Sequence, residues 1–230
     1  MVLARIFVIW PGARSDVDGW VHEQRVVPSD SVGTPEDKRT ASMVTLSKIY
    51  TKTGDLGETG LGDGSRISKA SLRITAMGVV DETNCAIGIA RLDADADANA
   101  MLSRIQNDLF DLGADLCAPE DGRKAEGRLR ISQAQVERLE REIDAMNEIL
   151  SPLTSFVLPG GARLSAHLHL ARAIARRAEA AMVALAAQEK INEAALRYAN
   201  RLSDHLFVMA RTANDGEGNV LWVPGENRES

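Results

Sequence analysis

Residues 163–188 read RLSAHLHLARAIARRAEAAMVALAAQ, a run without glycine or proline, dominated by alanine and leucine. Both are strong helix formers, and the run is long enough for several turns. At 100° per residue, Ser165, His169, Arg172, Arg176 and Glu179 fall within one stripe about 80° wide. Leu170, Ile174, Ala178, Ala181 and Leu185 lie opposite and form the expected core face. The run opens just after Pro159-Gly160-Gly161, a natural break before a helix.

The same periodicity extends in both directions. It predicts helices over about 72–92, 98–116 and 132–150 upstream, and over about 192–214 downstream. Ser132 and Asn192 are suited to N-caps, Gly216 to a C-terminal stop, and Pro119 and Pro152 lie just past the second and third helices. Upstream, KIYTKTGDLGETGLGDGSRISK at 48–69 is too rich in glycine for a helix and reads as one short extended piece and a glycine-rich loop. The expected fold is all-α, a five-helix bundle with ferritin-like up-down packing behind an N-terminal glycine-rich loop. Residues 1–42 show no periodicity. We expect residues 1–46 to be a disordered or dispensable leader and residues 47–230 to be the working domain.

Composition narrows the function. Aromatic residues make up only 4% of the chain, which argues against an aromatic-rich sandwich or barrel. A net charge of −6 repels nucleic-acid phosphate, so any bound anion must be caught by a local cationic cluster. Two cysteines, Cys85 and Cys117, exclude a disulfide scaffold; both have apolar neighbours and read as buried free thiols. No apolar run is long enough for a membrane span, and Ile6–Trp10 is too short for a signal-peptide core, so the expected compartment is the cytoplasm.

Three patches can carry chemistry. The loop Thr51 to Thr59 is either a plain connector or an anion cradle, its glycines turning backbone N–H groups toward phosphate beside Lys52 and, further on, Lys69. It lacks the Gly-Lys-Ser/Thr of a P-loop. The stripe on 163–188 is either a solvated face or a guanidinium clamp for polyphosphate, with Arg177 beside it. On the last helix Glu193, Arg197, Asn200, Asp204, Phe207 and Arg211 share one side, against Tyr198, Leu202, Leu206 and Met209. That variety suggests an interface or pocket wall. Other patterns fail on geometry. Asp93, Asp95, Asp97 and Asn99 lack the glycine and glutamate of a calcium loop. His167 and His169 point about 160° apart, and Ser203-Asp204-His205 are consecutive, so no metal set or triad is assigned.

With these patches placed, the chain resembles the ATP:cob(I)alamin adenosyltransferases of the propanediol-utilisation type. The resemblance rests on the 48–69 stretch, VDETN at 80–84, FVLPGG at 156–161, ARAIARRAEA at 171–180 and YANRLSDHLFVMAR at 198–211. It spans roughly residues 47–223 in family order. Thr83 replaces the commoner leucine of Asp-Glu-Leu-Asn, and Ala180 stands where an arginine often follows the glutamate.

The resemblance implies transfer of the 5′-deoxyadenosyl group of ATP to the cobalt of cob(I)alamin, giving adenosylcobalamin and triphosphate with Mg²⁺. It implies a homotrimer with active sites between subunits, and a possible reductase or adenosylcobalamin-dependent client as partner. ATP would contact Thr51, Lys52, Thr53, Gly54, Thr59, Lys69, Arg176, Arg177, Glu179 and Asn200. Asp81 and Arg172 would pair across the interface, and Phe156 would keep the lower face of cobalt free of its usual ligand. A non-catalytic corrinoid or nucleotide binder and a phosphotransferase are the rival readings.

Overall fold

In the computed structural model the described residues are 49–121, 127–215 and 218–228. The expected leader and the expected stop at Gly216 lie outside them. Two short strands, β1 (Glu58–Gly60) and β2 (Arg66–Ser68), pair antiparallel with Thr59 opposite Ile67. Five helices follow: α1 (Leu72–Ala90), α2 (Ala96–Leu116), α3 (Gln133–Asn147), α4 (Arg163–Ala186) and α5 (Glu193–Thr212). A 3₁₀ turn over Arg91–Asp93 links α1 to α2.

The helices start where local chemistry can satisfy their free N–H groups. Ser132 and Gln135 form a reciprocal capping box at α3, and Asn192 accepts from the Ala194 N–H at α5, as the sequence suggests. Asp95 accepts from the Ala98 N–H at 2.8 Å, which is the use made of the pseudo-calcium spacing. The glycine-rich stretch differs from expectation by folding into the β1–β2 hairpin. Its turn is held by Asp63 accepting from the Ser65 backbone and hydroxyl.

Cross-helix bonds fix the directions. Arg73 of α1 meets Glu189 past the end of α4, whereas Arg177 meets Glu82, so α1 and α4 run antiparallel. Asn84 with Gln106 and Arg91 with Asn99 set α1 antiparallel to α2, and Asp108 with Arg138 and Arg104 with Glu142 set α2 antiparallel to α3. Glu179 with Asn200 and Ala162 with Asn214 set α4 antiparallel to α5. Glu140 with Arg201 and Glu142 with His205 align α3 parallel to α5. Alternating helices around a closed ring of five must leave one neighbouring pair running the same way, and α3 and α5 are that pair.

The core runs the length of the ring through Ile87, Leu102, Ile105, Leu112, Leu139, Leu168, Met182, Leu202 and Leu206. Three expectations need correction. The core face of α4 is Leu168, Ala171, Ala175, Ala178, Met182 and Leu185, rotated about 70° from the expected face at 100° per residue. Leu170 is exposed, while Ser165 and His169 are buried. The physical reason is that α4 packs against α1 and α5 together, and the small alanines admit both helices closely. Arg211 on α5 is likewise buried rather than facing a pocket, donating to the Ser151 carbonyl at 2.6 Å. Cys85 is exposed, because its position on α1 falls outside that helix's buried face, while Cys117 is buried as expected. Burial pushes the Cys117 thiol up to about 11. Among the described residues no helix is long and apolar enough to cross a membrane.

Candidate active site

The glycine segment packs at the end of the bundle where α1 begins and α2 ends. Gly62 N–H donates to the Cys117 carbonyl at 2.9 Å, and Leu61 is buried in the core. Within the segment Lys69 Nζ donates to the Gly54 carbonyl at 2.5 Å, and Arg66 donates to the Thr53 carbonyl at 2.8 Å. A Cβ at position 54 would stand 2.9 Å from Lys69 Nζ, so the absence of a side chain there lets the lysine close over the loop. Thr51 and Thr53 share a hydroxyl contact of 3.1 Å, Lys52 is exposed in a left-handed conformation, and Thr59 is buried in β1. All six expected loop residues therefore gather at one place, with Lys69 tied to the loop.

The second group sits at the middle of the bundle. Arg172 and Arg176, one turn apart on α4, make no ion pair among the described residues. The Arg172 Nε is buried without a hydrogen-bond partner. Burial and then the neighbouring Arg176 charge lower the basicity of Arg172, the mark of two cations crowded together with no anion between them. Arg177 differs: it is bound to Glu82 at 2.5 Å. Glu179 accepts from Asn200 Nδ2 at 2.8 Å, linking α4 to α5 as a single polar unit. Asp81, half-buried on α1, has no ion pair among the described residues, and burial raises its carboxyl.

His169, a turn before Arg172, is 2% exposed with both ring nitrogens unpartnered, its ring 6.1 Å from that of Phe207. Burial and then the Arg172 charge lower its basicity, so it is held neutral.

Phe156 forms the third group, at the opposite end of the bundle, where α4 begins and α5 ends. It is 76% exposed and pairs with Trp222 at a ring-centroid distance of 5.9 Å. One chain thus spreads the expected site over three levels. Ser71, the N-cap beside Lys69, lies about 16 Å of helix from Glu82, and the arginines lie a further half-helix from Phe156. The loop and the arginines do not meet within a single copy.

Two residues escaped the sequence reading. Glu82 lies between Asp81 and Thr83 in a stretch already singled out, and only its bond to Arg177 distinguishes it. Trp222 had a weak signal, a tryptophan in the continuous apolar run Val220-Leu221-Trp222-Val223 within an aromatic-poor chain.

A family model described as cobalamin adenosyltransferase matches residues 49–213. A cobalamin adenosyltransferase of Cupriavidus metallidurans is 49% identical over 181 residues, covering 77% of this chain and 95% of that protein. A corrinoid adenosyltransferase of Mycobacterium tuberculosis is 48% identical over 189 residues, covering 80% of this chain and 97% of that one. Among solved structures, a variant PduO-type ATP:corrinoid adenosyltransferase from Lactobacillus reuteri, complexed with cobalamin and ATP, superposes with a TM-score of 0.71. It is 37% identical, and the match covers 77% of this chain and 97% of that one. With a family model spanning both the hairpin and the arginine helix, and relatives matched over nearly their whole length, the chain belongs to the cobalamin adenosyltransferase family.

Proposed function

We infer that this chain transfers the 5′-deoxyadenosyl group of ATP to the cobalt of a cob(I)alamin substrate, releasing triphosphate. The observation that carries the mechanism is the Arg176 guanidinium on α4, which has no counter-anion among the described residues. Its planar fork matches phosphate oxygens.

Arg176 binds the triphosphate and stabilises the negative charge that grows on it as the C5′–O bond breaks. Thr51, Lys52, Thr53, Gly54, Thr59 and Lys69 cradle the other side of the nucleotide. Glu179 and Asn200, already bonded to each other, orient the nucleotide beside the arginines. Arg177 joins the phosphate site through its charge while anchored to Glu82. Cob(I)alamin is itself a strong nucleophile, so the protein aligns cobalt with C5′ and needs no general base. Phe156, apolar and exposed, excludes water and the lower ligand from one face of the corrin.

Mg²⁺ fits this donor set as a phosphate-held ion. Among the described residues no cluster of three acidic, histidine or cysteine side chains could cage a cation alone. Mg²⁺ commonly takes substrate phosphates, waters and one or two carboxylates. Glu179 is the carboxylate beside the arginines, and the ion would add to the charge neutralisation of the leaving triphosphate.

The separation of hairpin, arginines and Phe156 within one copy supports an assembly in which two copies build each site, in a homotrimer. Arg172 and Asp81, each without an ion-pair partner of its own among the described residues, would pair across that interface. Residues 47–230 form the working domain, residues 1–46 are dispensable, and the protein works in the cytoplasm. There a reductase supplies the Co(I) substrate and a client enzyme consumes the product.

Protein, ATP, Mg²⁺ and chemically reduced cobalamin, mixed without oxygen, test the reaction directly. The Co(I) absorbance should decay with formation of one triphosphate per cobalt. Stable Co(I) absorbance would instead identify a carrier or sensor, and ADP as product would identify a phosphotransferase.

A further inference from the structure

The chain beyond α5 turns back onto the loop that carries Phe156. Asn214 makes the turn: its Oδ1 accepts from the Ala162 N–H at 2.8 Å and its Nδ2 donates to the Gly160 carbonyl at 3.2 Å. The fit leaves no room for a side chain at Gly161, where a Cβ would stand 2.3 Å from Asn214 Oδ1. Gly218 N–H then donates to the Asn214 carbonyl at 2.9 Å. From there residues 219–222 run antiparallel to residues 155–158. Leu158 N–H donates to the Val220 carbonyl at 2.8 Å, Trp222 N–H donates to the Phe156 carbonyl at 2.7 Å, and Val157 bridges Leu221. Ser155 Oγ closes the pairing by donating to the Trp222 carbonyl at 2.6 Å.

The ring geometry follows from this pairing. Phe156 and Trp222 flank the Val157–Leu221 bridge and meet with their rings tilted at 53°. Phe156 is otherwise an exposed aromatic on a loop, free to sample its staggered rotamers in water. Ordering it only when the corrinoid arrives would cost affinity; a ring already propped in place avoids that cost. The strap lies past residue 213, where the family match ends.

We propose that Trp222 is a positioning residue, and that the strap 218–222 holds the Phe156 ring against the lower face of the corrin. This rests on the role given to Phe156 above. Trp222 acts through Phe156 and not on ATP, so its loss should alter cobalt coordination and corrinoid affinity while sparing the nucleotide.

The test uses the full chain with ATP and cob(II)alamin, and reads the fraction of four-coordinate Co(II) by electron paramagnetic resonance. Trp222→Ala should lower that fraction and raise the KM for corrinoid about three- to tenfold, the range set by one aromatic pair. The KM for ATP should stay within about twofold, and Trp222→Phe should recover most of the signal. Ser155→Ala, which removes one tie, should shift the fraction the same way by less, and it carries the test should Trp222→Ala fail to fold. A normal four-coordinate fraction in both Trp222→Ala and Ser155→Ala, with a low one in Phe156→Ala, overturns the strap alone. A normal fraction in Phe156→Ala overturns the role of Phe156 and the strap with it.

Discussion

The bundle has two polar regions of opposite character. Between α2, α3 and α5 the two buried carboxylates, Asp108 and Asp115, are saturated within the chain. Asp108 accepts from Arg138, from Gln135 at 3.0 Å and from the Tyr198 hydroxyl at 2.8 Å. Asp115 accepts from Arg130 at 2.7 Å, the Ile131 N–H at 2.8 Å and Asn192 at 2.7 Å. Along α1 and α4 the reverse holds among the described residues: Arg172 and Asp81, both part-buried, and the exposed Arg176 beside them have no ion pair, and the buried His169 has no hydrogen bond. Burying an unsatisfied polar group is costly, so a fold keeps such groups only where something else completes them. The saturated region serves the chain itself. The unsaturated one is where the proposed mechanism would place a ligand and a second copy.

The largest effect should fall in the saturated region. Asp115→Ala strips a buried carboxylate from the part-buried Arg130 guanidinium and Asn192 amide and from the buried Ile131 N–H. Such removals cost about 3–5 kcal/mol, and the urea midpoint should fall accordingly with an unchanged slope. Arg176→Ala, by contrast, should change stability by less than about 0.5 kcal/mol, because nothing inside the chain depends on that side chain. A comparable loss of stability in the two variants would erase the distinction between the regions.

Next in size is the catalytic effect of the same arginine. A charge-assisted bond to phosphate contributes about 1.5–3 kcal/mol, so Arg176→Ala should lower kcat/KM on the order of a hundredfold at saturating Mg²⁺. Arg176→Lys keeps the charge but loses the fork and should recover only part of the rate. Near-normal turnover in Arg176→Ala would remove it from the phosphate site.

Much of this contrast was legible in the sequence, but unevenly. The five helices were, because their apolar spacing and caps agree with each other at Ser132 and Asn192. The hairpin was not, since three-residue strands are too short to show alternation inside a glycine-rich run. The α4 core face was misplaced because alanines at 171, 175 and 178 offer little hydrophobic contrast and their burial depends on how closely neighbours approach. The identities Arg172, Arg176, Glu179 and Asn200 came from the family resemblance and the helical stripe together. Their state did not: that Arg177 is bound to Glu82 while Arg176 has no ion pair among the described residues depends on which helix lies alongside, and spacing within one helix carries no such information.

The smallest expected effect tests whether the unsaturated region carries a cost of its own. His169 is buried and neutral, with burial and then the Arg172 charge opposing its protonation. In the unfolded chain the same ring titrates near its usual value of about 6.5. Below that pH the unfolded state takes up a proton that the folded state resists, so stability falls as pH drops and is fully present above it. The slope from this one group cannot exceed about 1.4 kcal/mol per pH unit. Urea midpoints measured from pH 7.5 to 5.5 should therefore decline for the parent and decline less for His169→Gln, which has nothing to titrate there. Equal slopes in the two proteins would mean that the folded ring accepts its proton freely, through a partner the α4 face acquires in the assembly. The same measurement on Asp81→Ala would then decide whether that partner comes with the second copy: if so, loosening the interface should bring the His169-dependent slope back.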